Sequence, residues 1–466
     1  MPSPTHPRAG EACRNPHCRR IQIRTLSLAV LVVSSSLLVG CADPRVDLAA
    51  VPVNFEPSPP PPRPAGCRTV PAGEGLATAL AGALPGDSLC LEPGKHSGPG
   101  RIGPGVTVWG TRAAVVQSSG TGDTLRLAGE GSRLLGITVD GSGHRFDLQE
   151  AAVHVTDAIG ARVEGVAIRN ALFGIIVEKS QDVVVSGNLI DGGDRAELGM
   201  RGDAIRVWET RDSRIERNRV HGSRDMVIWY SSNNLIADNE IEGGRYGTHL
   251  MYSHGNRISH NRYIRNVVGV FAMYSRDILL ESNLLAASTG AAGMGIGLKE
   301  SSGMRARGNV FVRDAVGIYL DNSPYEPGTT NDFDNNAIRL CDIGVAFHAS
   351  TAGNRFRDNS LRGNSLAVRV DGGGDALGSL WLHNNFDDYA GYDLDGDGFG
   401  DVPFELRSLS ATLVSRHPQL DFFRGTPAMY LMDAIGQLVP ILQPKAILVD
   451  EKPRMAPTSA TSRRAN

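Results

Sequence analysis

Between about residues 106 and 390 this chain repeats itself every 21–30 residues, and that period dictates what it can fold into. A segment of the form Gly-apolar-x-apolar-x-x-Ser recurs, with clear copies at Gly174–Ser180, Gly247–Ser253, Gly269–Ser275 and Gly317–Ser323. A second short apolar segment, an Asn and a third segment follow each copy. One column of hydroxyls runs Ser180, Thr210, Ser231, Ser253, Ser275, Ser301, Ser323, Ser350. An Asn column runs beside it: Asn188, Asn218, Asn239, Asn261, Asn283, Asn309, Asn335, Asn359. Segments this short cannot be helices, and their apolar residues alternate, so one side of each faces an interior. A period of this length then means a solenoid. Asn at the same turn of every coil can take the left-handed conformation and stack its amide on the Asn above. The expected fold is all-β, a right-handed single-stranded parallel β-helix of about a dozen coils. The Leu-x-x-Leu-x-Leu spacing of the rival leucine-rich solenoid is missing.

Composition agrees. Glycine supplies 55 of 466 residues, above the usual ~7%, as many tight turns require. With 47 Lys+Arg against 50 Asp+Glu, the net charge of −3 excludes a nucleic-acid binder that relies on a general basic field.

The repeat sets the domain boundaries. Residues 1–40 read as a secretory leader: Arg14, Arg19, Arg20 and Arg24 precede an apolar run too short to span a bilayer. It ends Leu38-Val39-Gly40-Cys41, which resembles a bacterial lipobox, and that resemblance makes Cys41 the lipidated first mature residue. Residues 41–66 form a Pro-rich linker whose Pro57–Pro64 stretch is expected to stay outside the rod. Residues 67–105 form an N-terminal cap, with an amphipathic helix over 75–84 covering the open sheet end. Cys67 and Cys90 are an expected disulfide in an oxidising envelope, and Cys341 is left single and buried. The β-helix occupies 106–390, an Asp/Gly loop and helical docking segment 391–449, and a disordered tail 450–466.

Counting back from the hydroxyl column assigns outward positions. Two before it stand Glu178, Trp208, Trp229, Met251, Met273 and Lys299; four before it stand Ile176, Arg206, Val227, His249, Phe271 and Gly297. The outer face of a solvated rod should be polar, so Trp208, Trp229 and Phe271 mark a partner-binding surface. The same coils concentrate soft ligands. Six of ten Met lie between Met200 and Met304, and His221, His249, His254 and His260 fall within 40 residues. Thioether with imidazole suits Cu(I), so His249, Met251, Met273, His254 and His260 are the copper candidates. Polysaccharide-cleaving or epimerising enzymes, the alternative on this fold, need clustered carboxylates along a groove. Neither Asp-Pro-His-Asp nor Asn-Thr-Asp with Gly-His-Gly occurs, and the chain is read as no enzyme.

After the last coil, Asp393, Asp395, Asp397 and Asp401 take positions 1, 3, 5 and 9 of a calcium-loop pattern with a Gly at 6, although Phe404 replaces the Glu expected at 12. Thr426-Pro427 then starts a helix that sets Leu431 and Ile435 on one side, a docking element for a partner.

Several of these segments together resemble the NosD family of periplasmic copper-associated β-helix proteins. They are the coils ending Met251-Tyr252-Ser253-His254 and Met273-Tyr274-Ser275, the stretch Asn384–Tyr392 leading into Asp393–Pro403, and Arg416-His417-Pro418 with its final helix. The resemblance covers roughly residues 70–450. It implies a non-catalytic role in assembling the copper centre of nitrous-oxide reductase, with an ABC transporter (membrane and ATPase subunits) and a copper chaperone as partners. It implies a periplasmic location; the lipobox adds attachment to a membrane, the outer one by the residue after Cys41. Two departures stand out. The chain reads as lipidated where family members are often soluble, and Phe386-Asp387 replaces the family's Trp-Ser after the last Asn.

Overall fold

The computed structural model describes residues 58–73, 75–193, 197–423, 426–438, 444 and 446–457. The leader, Cys41 and most of the linker lie outside the described residues. From Arg68 to Phe386 the chain winds into a right-handed parallel β-helix of about fourteen turns. Three sheets run its length: sheet A with 14 strands, sheet B with 13 and sheet C with 12. Each coil passes A, B, C in that order, and all pairings within these sheets are parallel. Strands of sheets A and B hold mostly three residues, whereas those of sheet C reach six, so sheet C offers the broadest outer surface.

The interior is a single continuous apolar column, with Val163, Val185, Ile215, Ile236, Ile258 and Leu280 stacked along sheet A. Burying each such side chain contributes about 1.5–3 kcal/mol. Near the C-terminal end aromatic rings take over: Phe333, Phe356 and Trp381 stack at 4.7 and 4.2 Å.

Two polar ladders hold the corners. In the hydroxyl column each backbone N–H donates to the hydroxyl of the next coil, from Ser180 to Ser350. In the Asn column each Nδ2 donates to the next Asn Oδ1 and to a carbonyl of the previous coil; Asn261 does so at 3.0 and 2.9 Å. Two expectations need correction here. The left-handed residue is the one before the ladder Asn (Arg217, Asp238, His260), because the Asn itself must point its amide inward. The ladder also runs through Asn336 and not Asn335, which is exposed.

A third column at the turn from sheet B to sheet C reads Asn266, Ser288, Asp314, Cys341, Asn364. The two Asn members accept a backbone N–H and donate Nδ2 to Ile241 and Ile338 carbonyls. Asp314 accepts the Ser288 N–H at 2.8 Å, but its Oδ2 is buried without a hydrogen bond. Burial holds its pKa well above the carboxylate range. A raised acid favours the native state below its unfolded value of 3.8, and that contribution is lost as pH rises through the folded value. Asp314→Asn should therefore raise stability at neutral pH by about 1–3 kcal/mol and remove this pH slope; urea melts at several pH values would read both.

The ends are covered as open sheets require. Helix α1 (Leu76–Ala81) buries Leu76, Ala79 and Leu80 over the first coils, and Cys67 is disulfide-bonded to Cys90. At the other end two antiparallel strands, Phe404–Arg407 and Ala446–Asp450, close the rod. Phe404 stacks on Phe386 at 4.2 Å, and Asp450 terminates the Asn ladder by accepting from Asn384 N and Nδ2. Arg454 pairs with Asp358 at 2.6 Å. Residues 450–457 are thus part of the cap and not a disordered tail. Helices α2 (Leu409–Arg416) and α3 (Pro427–Leu438) lie between these strands in sequence and pack on each other.

Candidate functional site

The outer face of sheet C carries the columns that sequence spacing assigned. Strand register aligns Arg206, Val227, His249, Phe271 and Gly297 in one row, and Trp208, Trp229, Met251, Met273 and Lys299 in the next. Trp208, Trp229 and Phe271 are half-buried, leaving part of each ring on the surface.

His249 sits at the centre of this face, in the strand Tyr246–Met251, and is 6% exposed. Its Nε2 lies 3.4 Å from Met273 Sδ. Three rings surround it: Tyr246 at 4.6 Å, Trp229 edge-on at 5.3 Å and Phe271 at 6.2 Å. Nδ1 is buried without a partner. Burial pushes the pKa of His249 down to about 4; Asp225 opposes this, and the Arg245 and Arg224 charges add to it. The imidazole is therefore neutral at pH 7 and keeps a lone pair available. Register puts Met251 directly beside Met273. Gly297 follows Phe271 in the row: a Cβ there would stand 2.3 Å from Phe271 Cδ2, so its absence lets the Phe271 ring lie flat along the face.

Sequence reasoning missed a charged chain beside these rings. Arg206 lies between Trp208 and Trp229, with its guanidinium 5.2 and 4.8 Å from the ring centroids. It pairs with Asp203 at 3.0 Å, Asp203 pairs with Arg224 at 2.7 Å, and Arg245 pairs with Asp225 at 2.5 Å while covering the Tyr246 ring. Burial outweighs these cations at Asp203 and raises its pKa. Two Asp at the start of successive sheet C strands, each with Arg nearby, were the available signal. A tyrosine ladder was also missed as a unit. Trp208, Tyr230, Tyr252 and Tyr274 follow one another at 5.0, 5.3 and 4.9 Å. All three Tyr occupy the left-handed position before the hydroxyl column, and Tyr230 and Tyr252 are exposed.

Two copper candidates do not join His249. His254 lies in the turn leading out of sheet C, where its Nδ1 accepts the Arg276 N–H at 3.2 Å. His260 is exposed at the A–B corner, a different corner of the coil. The shared stretch of sequence does not bring them together because successive corners of a coil point in different directions.

In the Asp/Gly loop, Asp393, Asp395 and Asp397 offer ligand oxygens within 4.8 Å of one another. Asp401 stands outside this group, its Oδ2 accepting the Leu394 N–H at 2.6 Å. On α3, Leu431 and Ile435 are exposed, and Phe422 and Phe423 stand exposed just before it.

Residues 191–390, which include this whole face, match the family model described as "Periplasmic copper-binding protein (NosD)". Two relatives carry the name "Probable ABC transporter binding protein NosD". The Pseudomonas aeruginosa protein is 26% identical over 84% of this chain and 95% of its own length. The Stutzerimonas stutzeri protein is 25% identical over 76% of this chain and 83% of its own. Among solved structures, the A-module of an Azotobacter vinelandii mannuronan C-5 epimerase is similar at a TM-score of 0.52 and 14% identity, covering 66% of this chain and 95% of that one. The catalytic unit of an α-1,3-glucanase from Streptomyces thermodiastaticus gives 0.53 and 15%, covering 70% of each. At such identities these two share the coiled architecture and nothing finer. With matching coils, matching length and the Met-Tyr-Ser segments in register on sheet C, the chain is similar to the NosD family, through residues 191–390 above all.

Proposed function

We propose that this protein is a non-catalytic carrier of Cu(I) that serves assembly of the copper centre of nitrous-oxide reductase. It receives the ion from a copper chaperone and works with an ABC transporter. The observation that carries this reading is the contact between His249 Nε2 and Met273 Sδ, inside a ring of aromatic groups. Two ligands of one first-row ion, at about 2.0 Å for imidazole nitrogen and about 2.3 Å for sulfur, stand about 3.4–3.7 Å apart. The pair already has that spacing. Sulfur with neutral imidazole favours Cu(I), and Met251 is the candidate third ligand. Copper here is cargo, so the surrounding rings serve to exclude water and oxidant during transfer. Deleting the gene should lower the copper content of the reductase, and the His249→Ala/Met273→Ala protein should fail to restore it. Full restoration by that variant would overturn the reading.

Attachment to the periplasmic side of the outer membrane through lipid on Cys41 belongs to the same proposal; mass analysis of the mature N-terminus tests it. The exposed Leu431 and Ile435 of α3 supply the docking surface for the transporter's membrane subunit. Leu431→Asp/Ile435→Asp should abolish co-purification with that subunit and leave Cu(I) binding intact. The Asp393, Asp395 and Asp397 oxygens are assigned to calcium. Added Ca²⁺ should raise the melting temperature by a few degrees, and Asp395→Ala should remove the rise.

A further inference from the structure

The two indoles and the tyrosine ladder join the sheet C site to the surface without a gap. From His249 the ring-to-ring steps are 5.3 Å to Trp229, 5.8 Å to Trp208, 5.0 Å to Tyr230, 5.3 Å to Tyr252 and 4.9 Å to Tyr274. The backbone does not ask for these tyrosines. On other coils the same left-handed position before the hydroxyl column holds Lys179, Glu209, Glu300, Asn322 and Ala349. A bulky ring is disfavoured at positive φ, yet Tyr fills the position on three successive coils, at φ +49°, +49° and +50°. Burial does not explain the choice either, since Tyr230 and Tyr252 are exposed. Indole and phenol are the rings that most readily give up one electron, and rings in contact pass the vacancy along.

The polar atoms around the rings give this path a direction. Trp229 Nε1 is buried without a hydrogen bond, so an oxidised Trp229 has nowhere to send its proton. Trp208 Nε1 donates to Glu209 Oε1 at 3.1 Å, so that indole has an exposed carboxylate ready to take its proton. The Arg206 guanidinium, 4.8 Å from the Trp229 ring and 5.2 Å from the Trp208 ring, opposes a positive charge on either, tempered by its pairing with Asp203 at 3.0 Å. A phenol loses its proton when it is oxidised, and exposed Tyr230 has water to receive it.

We propose that Trp229, Trp208 and the tyrosine ladder carry oxidising equivalents away from the sheet C site to exposed phenols. The protective role rests on the copper reading above; the path itself does not. Cu(I) and hydrogen peroxide give Cu(II), hydroxide and a hydroxyl radical. That radical takes one electron from Trp229 and becomes a second hydroxide. Trp208 refills Trp229 with one electron and passes its indole proton to Glu209. Tyr230 refills Trp208 with one electron, Glu209 returns the proton, and the phenol proton of Tyr230 turns the second hydroxide into water. The sum is one hydrogen atom removed from Tyr230 and one water formed from the radical. Tyr252 and Tyr274 share the vacancy until a thiol returns the hydrogen atom at the surface, and two of the resulting thiyl radicals pair as a disulfide. Without the path the radical meets Met273, whose Sδ lies 3.4 Å from His249 Nε2, and a soft thioether ligand becomes a sulfoxide.

Two measurements on the full chain separate path from role. Azidyl radicals, which oxidise indoles, are generated by pulse radiolysis in the copper-free protein. The indole radical should decay as a tyrosyl radical grows, at a rate independent of protein concentration. Tyr230→Phe/Tyr252→Phe/Tyr274→Phe should abolish that growth, and Trp208→Phe should cut it several-fold. Glu209→Gln, at an exposed position, should slow it several-fold. Transfer in Trp208→Phe and Glu209→Gln as fast as in the wild type, or growth that survives the triple substitution, overturns the path. The Cu(I)-loaded protein is then treated with hydrogen peroxide, and oxidised residues are mapped by mass spectrometry. Oxidation should fall on Tyr230 and Tyr252 in the wild type, and Met273 sulfoxide should rise several-fold in Trp208→Phe. Equal Met273 oxidation in both overturns the protective role alone. A protein that takes no Cu(I) on sheet C overturns the copper reading and the role together, while the azidyl result still decides the path.

Discussion

Anaerobic titration with Cu(I) should fill a tight site on sheet C, and His249→Ala/Met273→Ala should weaken it at least about 100-fold. Removing even an outer hydrogen-bond partner of a metal ligand costs about 10–100-fold in affinity, and here two ligands are lost. His254→Ala and His260→Ala should leave the affinity unchanged, since neither side chain approaches His249. Trp229 stands edge-on to His249 at 5.3 Å, so its fluorescence should report the ion. Trp229→Phe should keep binding and lose much of the signal. Burial holds the His249 pKa at about 4, so proton competition begins only there. Affinity should stay flat as pH falls from the ordinary histidine value of 6.5 toward that point; a decline starting near 6.5 would place the ion on an exposed histidine instead.

Asn261→Ala should destabilise the rod by about 3–5 kcal/mol. Its side chain bonds at once to Asn239, Asn283 and the Ile236 carbonyl, all buried. Truncation leaves several of these groups without partners in a dry corner, at about 1–3 kcal/mol each, with some recovery by water. Asn336→Ala should behave alike. Asn335→Ala, one position away but exposed, should cost about 1 kcal/mol or less. Thermal melts that rank Asn335 and Asn336 equally would contradict the ladder's register.

The rod was legible because its period fixes almost everything. Once the hydroxyl column is aligned, two-residue alternation assigns facing, and coil-to-coil register places His249, Met251 and Met273 without further information. Legibility ended wherever a contact depended on something other than the period. Asn335 and Asn336 are identical as letters, and the choice turns on strand register: Asp334 pairs with Arg307, which sets Asn336 and not Asn335 level with Asn309. Tyr246 closes on His249 next to a register shift between Asp225 and Val227, which alternation cannot describe. The closing strand was hidden in the apolar run Ala446–Asp450, far from any repeat. The Pro-rich segment, expected outside the rod, lies along it from Ser58, with Trp109 Nε1 donating to the Pro61 carbonyl, and its trace in the sequence is in the glycines opposite it, Gly165 and Gly187.

X-ray absorption at the copper edge of the Cu(I)-loaded protein would decide what the sheet C face is for. A shell mixing thioether sulfur with imidazole nitrogen, with both signals lost in His249→Ala/Met273→Ala, is the expected spectrum. A shell of oxygen and nitrogen alone, or one unchanged by that double substitution, would mean that copper binds elsewhere and that this face has another purpose.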